Sequence, residues 1–295
     1  MTESCALDTE TFLIQCDNTS GLEYPTLGEN LNVTDISLEN HEISILSYVA
    51  EDCYAKNGTQ VREDRSSLTV PLFTISNSKN KFTVLGCDSY AYLNGYQNEE
   101  EEYSLGCMSK CDNMKKVQEG SCSGVGCCQT QIPQGLKNIS VGAYSFNSHE
   151  TSIRFNNCTY AFIVEERKFN FSPHFLHSFP QEKMPLVLDW AISYDIQNHT
   201  CGANTTSHKL DDGSGYYCLC NKGFHGNPYL PEGCQDINEC EDANLNNCSD
   251  IGYCVNEEGG YNCSCLADWS GDGRKYGTGC NPEPKSYPNK KDKFP

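Results

Sequence analysis

Hydrophobic and polar residues are distributed differently in the two parts of this chain, which meet near residue 200. Before that point, short runs rich in β-branched and aromatic residues are separated by turns of glycine, asparagine and serine, and no long helical period occurs. The runs predicted as strands are residues 43–49, 81–87, 154–164 and 185–192. This pattern predicts an all-β fold for the first part.

After residue 200, glycine, asparagine and cysteine replace almost all of the aliphatic residues. A domain with so small an apolar core needs disulfides or a bound metal to stay folded. We therefore expect cysteine pairs and metal to hold this part together. Residues 281–295 are basic, contain proline and show no pattern, so they are predicted to form a linker.

The composition is typical of an extracellular protein. Twenty cysteines in 295 residues indicate disulfides and an oxidising compartment, and their even number allows full pairing. Ten Asn-x-Ser/Thr sequons favour a glycosylated surface protein, although cysteine in the middle position lowers the expected occupancy of Asn157 and Asn262. The other eight candidate sites are Asn18, Asn32, Asn57, Asn138, Asn170, Asn198, Asn204 and Asn247.

The net charge of −19 argues against nucleic acid as a partner, because a protein needs basic patches to bind that polyanion. The first residues contain neither the basic start nor the apolar core of a signal peptide. No apolar run approaches the roughly 18 residues that span a membrane. We therefore expect the chain to be an excerpt of a longer protein, or one that lacks its first exon, with membrane attachment only through a segment outside it.

The most informative motif begins at Asp236. Residues 236–240 read Asp-Ile-Asn-Glu-Cys, and residues 254–263 have the form Cys-x-Asn-x4-Tyr-x-Cys. With its six cysteines, the segment to Cys280 resembles the calcium-binding EGF-like family. Two carboxylates, one amide and a few backbone carbonyls give the all-oxygen shell that calcium prefers. The alternative is an EGF-like module without metal.

This resemblance implies a ligand set and a disulfide pattern. The side chains implied as calcium ligands are those of Asp236, Glu239 and Asn256, and the implied backbone carbonyls belong to Ile237, Glu257 and Gly260. The family pairs its cysteines first with third, second with fourth and fifth with sixth. The implied bridges are therefore Cys240–Cys254, Cys248–Cys263 and Cys265–Cys280.

Residues 201–234 resemble a second, reduced EGF-like module with one cysteine upstream instead of three. The resemblance implies that the first–third bridge is lost as a unit, so that Cys201–Cys218 and Cys220–Cys234 remain. Gln235 alone joins this module to the next one. Calcium bound at Asp236 is therefore expected to stiffen the joint, as a structural ion and not as part of a calcium sensor.

A set of blocks in the first part carries a wider resemblance. The most specific block is Gly-Cys-Cys-Gln-Thr-Gln-Ile-Pro at residues 126–133. Together with the EGF-like modules, the blocks resemble the ectodomain of plant wall-associated receptor kinases over nearly the whole chain. The other blocks are residues 79–92, 106–111, 158–166 and 187–192.

The family resemblance implies an all-β, disulfide-rich fold, with a β-strand N-terminal region followed by two small EGF-like modules. It implies a truncated galacturonan-binding domain at residues 1–95, a cysteine-rich domain at 96–200, and EGF-like modules at 201–234 and 235–280. The implied partner is pectin or oligogalacturonides, and the implied location is extracellular, at the plasma-membrane surface facing the cell wall. The connectivity of the ten cysteines from Cys5 to Cys158 stays open.

The sequence contains no catalytic constellation, so we expect a non-catalytic protein. The kinase motifs of the family's cytoplasmic part do not occur. Cysteines crowd the segment Gly-Ser-Cys-Ser-Gly at 120–124, which favours disulfides over a nucleophile elbow. His174 and His177 lack further ligands at metal spacing and are predicted to lie in a surface loop.

Pectin is a polyanion, so an acidic chain needs local cations to bind it directly, or calcium as a bridge. The alternative is that these cations are scattered residues that keep the protein soluble. In that case the chain is a structural module that binds other cell-surface proteins. The candidate glycan-binding residues are Lys79, Lys81, Lys110, Lys115, Lys116, Lys137 and Arg154, with Tyr90, Tyr92, Tyr96 and Tyr103 for stacking.

Overall fold

A computed structural model describes residues 12–17, 24–28, 31–97, 101–193, 201–210 and 215–283 of the chain. Strands and short 3-10 helices make up its regular structure, so the predicted all-β, disulfide-rich fold class is confirmed. The chain divides into two compact units. The first comprises residues 1–194 and 210–217, and the second comprises residues 195–209 and 218–295.

Fifteen strands form the described part of the first unit, and each pairs antiparallel with its neighbours. Their bounds are β1 Ile14–Asp17, β2 Tyr24–Leu27, β3 Leu31–Ser37, β4 Glu42–Tyr48, β5 Ala50–Tyr54, β6 Gln60–Asp64, β7 Ser66–Thr69, β8 Phe73–Ile75, β9 Asn80–Gly86, β10 Asp88–Gln97, β11 Glu101–Lys110, β12 Gly126–Gln131, β13 Asn138–Ser145, β14 Cys158–Glu165 and β15 Lys183–Trp190.

These strands form three sheets, ordered β1-β2-β3-β4-β15-β8, β12-β9-β14-β5-β6 and β11-β10-β13-β7. Three of the four predicted runs coincide with β4, β9 and β15 to within two residues at each end. The fourth run was predicted to begin at residue 154, but β14 begins at Cys158. Residues 154 and 155 belong to a turn, and the side chain of Asn156 is occupied in hydrogen bonds.

The core lies around β9 and β14, most of whose residues are buried because both faces of these strands are covered. On one face, Leu85, Phe162 and Val164 pack in a cluster with Phe171 and Phe179. The rings of Phe162 and Phe179 are stacked with centroids 5.3 Å apart. This cluster fixes the five-stranded sheet, and β9 and β14 in turn contact β10 and β13 of the neighbouring sheet.

The structure places no domain boundary between residues 95 and 96, where the family resemblance implies one. Strand β10 runs through that point and pairs with β13 as far as Tyr96 opposite Asn138. Strand β9 pairs with β14, and a disulfide joins Cys53 to Cys158. The predicted boundary is therefore wrong, because long-range strand pairing joins residues from both sides into the same sheets.

After residue 200 the strands are short and pair in consecutive twos. Among the described residues, the first unit has three 3-10 helices, Met114–Lys116, Glu166–Lys168 and Pro173–Leu176, and the second unit has one, Glu239–Glu241. The strands are β16 Thr205–Lys209, β17 Tyr216–Cys220, β18 Phe224–Gly226, β19 Cys234–Asp236, β20 Gly252–Glu257, β21 Gly260–Cys265, β22 Trp269–Ser270 and β23 Asn281–Pro282.

Nine disulfides join described cysteines, and Cys16 is the free cysteine among them, exposed on β1. The five pairs after residue 200 are the same pairs that the EGF-like resemblance implies: Cys201–Cys218, Cys220–Cys234, Cys240–Cys254, Cys248–Cys263 and Cys265–Cys280. The four pairs that the sequence left open are Cys53–Cys158, Cys87–Cys111, Cys107–Cys128 and Cys122–Cys127.

Candidate functional site

The implied calcium ligands Asp236 and Asn256 meet at the start of the last module. Asp236 ends β19, Asn256 lies near the end of β20, and the Cys240–Cys254 bridge ties the two segments together. One oxygen of Asp236 accepts a hydrogen bond of 2.6 Å from the Asn256 amide, and the other accepts one of 2.6 Å from the backbone N–H of Gly259. The Gly259 hydrogen bond, with that of Asn256, lowers the pKa of Asp236.

Glu239 is the third implied side-chain ligand, and its environment calls for a cation. The residue is 8% exposed in the 3-10 helix Glu239–Glu241, and its Oε2 is buried without a hydrogen-bond partner. A buried carboxylate oxygen without a partner is costly unless a cation neutralises it. The donor set, two carboxylates and an amide with nearby backbone carbonyls, therefore fits calcium.

The three implied carbonyl donors lie in the segments around this site. The backbone N–H of Ile237 donates to Gly223, and Glu257 pairs with Gly260 where the hairpin β20–β21 closes. Among the described residues, no group of three or more His, Cys, Asp or Glu side chains could hold a metal ion by itself. The implied set is consistent with this finding, because it contains only two carboxylates.

Two glycines that the sequence reasoning missed bring the last module against the preceding one. Gly223 and Gly259 have φ values of 86° and 79°, and a Cβ on Gly223 would collide with the Gly259 carbonyl. A Cβ on Gly259 would lie 2.9 Å from the ring of Phe224. The turn before β18 therefore packs directly on the hairpin tip beside Asp236. The signal for it was a glycine in each of two short turns.

The second candidate site is the outer face of the sheet β11-β10-β13-β7. Residues alternate along β10, so that Ala91 and Leu93 are buried while Tyr92 and Tyr96 are 47% and 44% exposed. The ring of Tyr90 lies 5.3 Å from that of Tyr144 on β13. We name as the aromatic face the four neighbouring rings of Tyr90, Tyr92, Tyr144 and Phe146.

Polar and cationic side chains surround the aromatic face. Arg65 lies 6.0 Å from the centre of the Tyr144 ring, and Lys110 lies 6.0 Å from that of Phe146. Farther along β10, the hydroxyl of Ser104 donates a 2.8 Å hydrogen bond to Asn94. Met108, opposite Tyr90 in register, is 65% exposed. The face thus combines exposed rings with two cations and with amide and hydroxyl groups.

The structure does not gather the remaining candidate cations at this face. Lys79 and Lys81 form ion pairs with Glu42 and Glu166, at 3.0 and 3.7 Å. Tyr103 on β11 lies on the opposite side of the sheet from Tyr92 and Tyr96, because it pairs with the buried Gly95. The other candidates lie apart from one another: Lys115 and Lys116 in the 3-10 helix Met114–Lys116, Lys137 before β13, and Arg154 in the turn that precedes β14.

Sequence reasoning identified Tyr90, Tyr92, Tyr96 and Lys110, but it missed other residues of this site. Tyr144 and Phe146 could have been found from their alternation after Ala143, which is typical of a strand with one exposed face. Arg65 and Met108 carry no such signal, because only strand pairing brings them to the rings.

The predicted sequons differ in their surroundings. Asn57, Asn138, Asn170 and Asn262 are exposed. The amides of Asn157 and Asn204 donate to the backbone carbonyls of Tyr54 and Cys234, while Asn32 and Asn247 accept hydrogen bonds from Lys183 and from Tyr261 and Arg274. The middle residue of the Asn247 sequon is also a cysteine, Cys248. Asn18 and Asn198 lie outside the described residues.

The all-β sheets, the nine disulfides and the EGF-like pairing define a disulfide-rich protein with EGF-like modules. A family model described as "Calcium-binding EGF domain" matches residues 236–280, and one described as "Wall-associated kinase" matches residues 119–196. Wall-associated receptor kinase 2 of Arabidopsis thaliana is 38% identical over 272 residues, which are 89% of this chain and 36% of the relative. Wall-associated receptor kinase 4 of the same plant is 35% identical over 250 residues, 80% of this chain and 33% of that relative.

This chain belongs to the wall-associated receptor kinase family, as the resemblance predicts. It spans about a third of the length of the curated relatives it matches. The two families found in the chain do not include a kinase catalytic domain. Within the ranges that the structure describes, no helix has the length and apolar character needed to cross a membrane.

The packing of Gly259 predicts that an added methyl group loosens the joint between the modules. Gly259→Ala puts a side chain at φ 79° and against Phe224, so we expect faster limited proteolysis around Gln235. Gly260→Ala is the matched control, because nothing lies within 4 Å of its Cβ position. Equal cleavage of the two variants would contradict a packed joint.

Proposed function

We propose that this chain is the ligand-binding ectodomain of a wall-associated receptor, itself non-catalytic, which faces the cell wall and binds pectin and calcium. The observation that carries the proposal is the similarity to wall-associated receptor kinases over most of the chain. The disulfides support an extracellular location, because such bridges persist in oxidising compartments.

The aromatic face supports an acidic polysaccharide as the ligand. Pectin contains galacturonate units, whose carboxylates require cations on a protein of net charge −19. Arg65 and Lys110 supply positive charge beside the rings of Tyr144 and Phe146. Rings offer flat apolar surface and the nearby side chains offer hydrogen bonds, which is the combination a sugar ring can use.

The environment of Glu239 supports calcium. Asp236, Glu239 and Asn256 would hold the ion, with backbone carbonyls nearby. When bound, calcium supplies a positive partner for the buried carboxylate oxygen of Glu239, which has no hydrogen-bond partner. The segment before Cys240 and the hairpin β20–β21 would then be held by charge as well as by the Cys240–Cys254 bridge. The role that follows for the ion is to stiffen the joint at Gln235.

A protein partner is the second candidate ligand, and the calcium-type module contains the observation that favours it. On β20, Tyr253 and Val255 lie on the same side of the hairpin and are 50% and 42% exposed. Ile251 and Leu266 nearby are 40% and 50% exposed. A group of exposed apolar side chains is typical of a protein contact surface.

We expect the secreted chain to bind oligogalacturonides and not a neutral glucan of equal length. The affinity should fall steeply with added salt, because contacts between cations and carboxylates are screened. Isothermal titration calorimetry at two salt concentrations measures both effects. A flat titration with the acidic sugar, together with capture of a cell-surface protein, would favour the protein-interaction function.

We expect calcium to bind in the range of roughly 10⁻⁴ to 10⁻³ M that is typical of extracellular modules. Glu239→Gln should weaken binding about tenfold or more, because it removes a charged ligand. Glu241→Gln, which removes an exposed charge two residues away, should bind calcium like the wild type. Calorimetry with calcium tests the comparison.

The same variants have a readout that does not depend on bound metal. In chelator, Glu239→Gln should be at least as stable to heat as the wild type, because it removes a buried charge that has no partner. Destabilisation in chelator with unchanged calcium affinity would show that Glu239 supports the fold and does not bind the ion.

A further inference from the structure

We propose that the acidic sugar chain binds on the aromatic face, stacking on Tyr92 and Tyr144 while Arg65 and Lys110 hold its carboxylates. This inference rests on the proposed function and assigns it a surface. The aromatic face differs from the set of glycan-binding residues predicted from the sequence. Most of the predicted cations, such as Lys79, lie away from this face, whereas Lys110 lies beside its rings.

The exposure of the rings is the first argument. The inner side of the same strands is packed into the core, since Ala91, Leu93 and Val141 are at most 2% exposed. On the outer side, Tyr92 and Phe146 are 47% and 50% exposed although they neighbour Tyr90 and Tyr144. Aromatic rings that stay partly exposed stabilise the fold less than buried rings do. Four such rings side by side on the surface therefore point to a ligand that covers them.

The glycines beside the rings are the second argument. Gly106 and Gly142 flank Tyr92 in register, one on each neighbouring strand. A Cβ on Gly106 would lie 3.3 Å from the Tyr92 ring, and one on Gly142 would collide with the Tyr144 ring. The rings of Tyr92 and Tyr144 therefore lie over backbone that has no side chain, with one side on the sheet. This arrangement leaves a broad, shallow surface in place of separate protruding side chains.

The distribution of charge is the third argument, and it selects an acidic sugar over a protein. Lys79 and Lys81 are ion-paired with carboxylates, whereas Lys110 forms no ion pair with any carboxylate that the structure describes. Arg65 is ion-paired with Glu63 at 3.5 Å, but its side chain is 64% exposed, against 18% for that of Lys81. On a chain of net charge −19, cations beside the half-buried Tyr144 ring and the exposed Phe146 ring fit a ligand with carboxylates.

The polar groups of the face match the rest of a sugar. Asn94 and Ser104 are exposed and lie two residues beyond Tyr92 and Gly106, and Ser140 is exposed opposite Asn94. Amides and hydroxyls both donate and accept hydrogen bonds, as the hydroxyls of a sugar require. From Tyr90 to Asn94 the strand extends about 13 Å, so one oligosaccharide can contact rings and polar groups together.

The test compares variants of the full chain in calorimetric titrations with an oligogalacturonide. Tyr92→Ala should weaken binding about three- to tenfold, the range expected for losing one aromatic contact. Tyr276→Ala is the matched control, since Tyr276 is 90% exposed and belongs to the second unit. Lys110→Gln should weaken binding and reduce its salt dependence. Lys81→Gln should leave both unchanged, because Lys81 lies on β9 in another sheet and its side chain is only 18% exposed.

The outcomes separate this inference from the function on which it rests. Wild-type binding with unchanged affinity in Tyr92→Ala and Lys110→Gln would overturn the aromatic face as the site and leave pectin binding standing. No binding by the wild type would overturn both. A flat titration, together with self-association that Tyr92→Ala abolishes in sedimentation, would identify the face as a protein contact and would also overturn the inference.

Discussion

Disulfides hold the segments that carry both candidate sites, and these sites depend on them more than on any single apolar contact. Cys87–Cys111 closes the open end of the β10–β11 hairpin, and Cys107–Cys128 ties β11 to β12. Cys240–Cys254 brings the segment of Asp236 to that of Asn256. Each bridge closes a loop of 14 to 24 residues, which is worth about 3 kcal/mol by limiting the unfolded chain.

With the hairpin closed, antiparallel register decides what each side of the sheet presents. Tyr90 lies opposite Met108 on one neighbour and Tyr144 on the other, so every second residue of β10 faces outward with its partners. The intervening residues pack inward. The same strand therefore supplies core and surface, and a slip of one residue would bury the tyrosines and expose Leu93. This is why a binding surface can be built on a rigid sheet.

Local patterns predicted four of the strands of the first unit, because the alternation of a strand is written in consecutive residues. The EGF-like resemblance implied the five cysteine pairs after residue 200 and the calcium ligands, among them Asp236 and Asn256, which the structure brings together. The boundary at residue 95 could not be placed correctly, since β9 pairs with a strand almost eighty residues later. A second long-range pairing, of β10 with β13, brings Tyr144 and Phe146 beside Tyr90. Composition identified lysines such as Lys79 as candidates, but their ion pairs appear only in the folded chain.

The most direct test of the account is tyrosine footprinting of the full chain, by chemical modification and mass spectrometry, with and without a saturating oligogalacturonide. If the sugar binds on the aromatic face, it protects Tyr92 from modification. Tyr48, Tyr253 and Tyr276, which are 56%, 50% and 90% exposed, should react equally in both conditions and serve as internal controls. Unchanged reactivity of Tyr92 while the sugar is bound would contradict the aromatic face as the binding site.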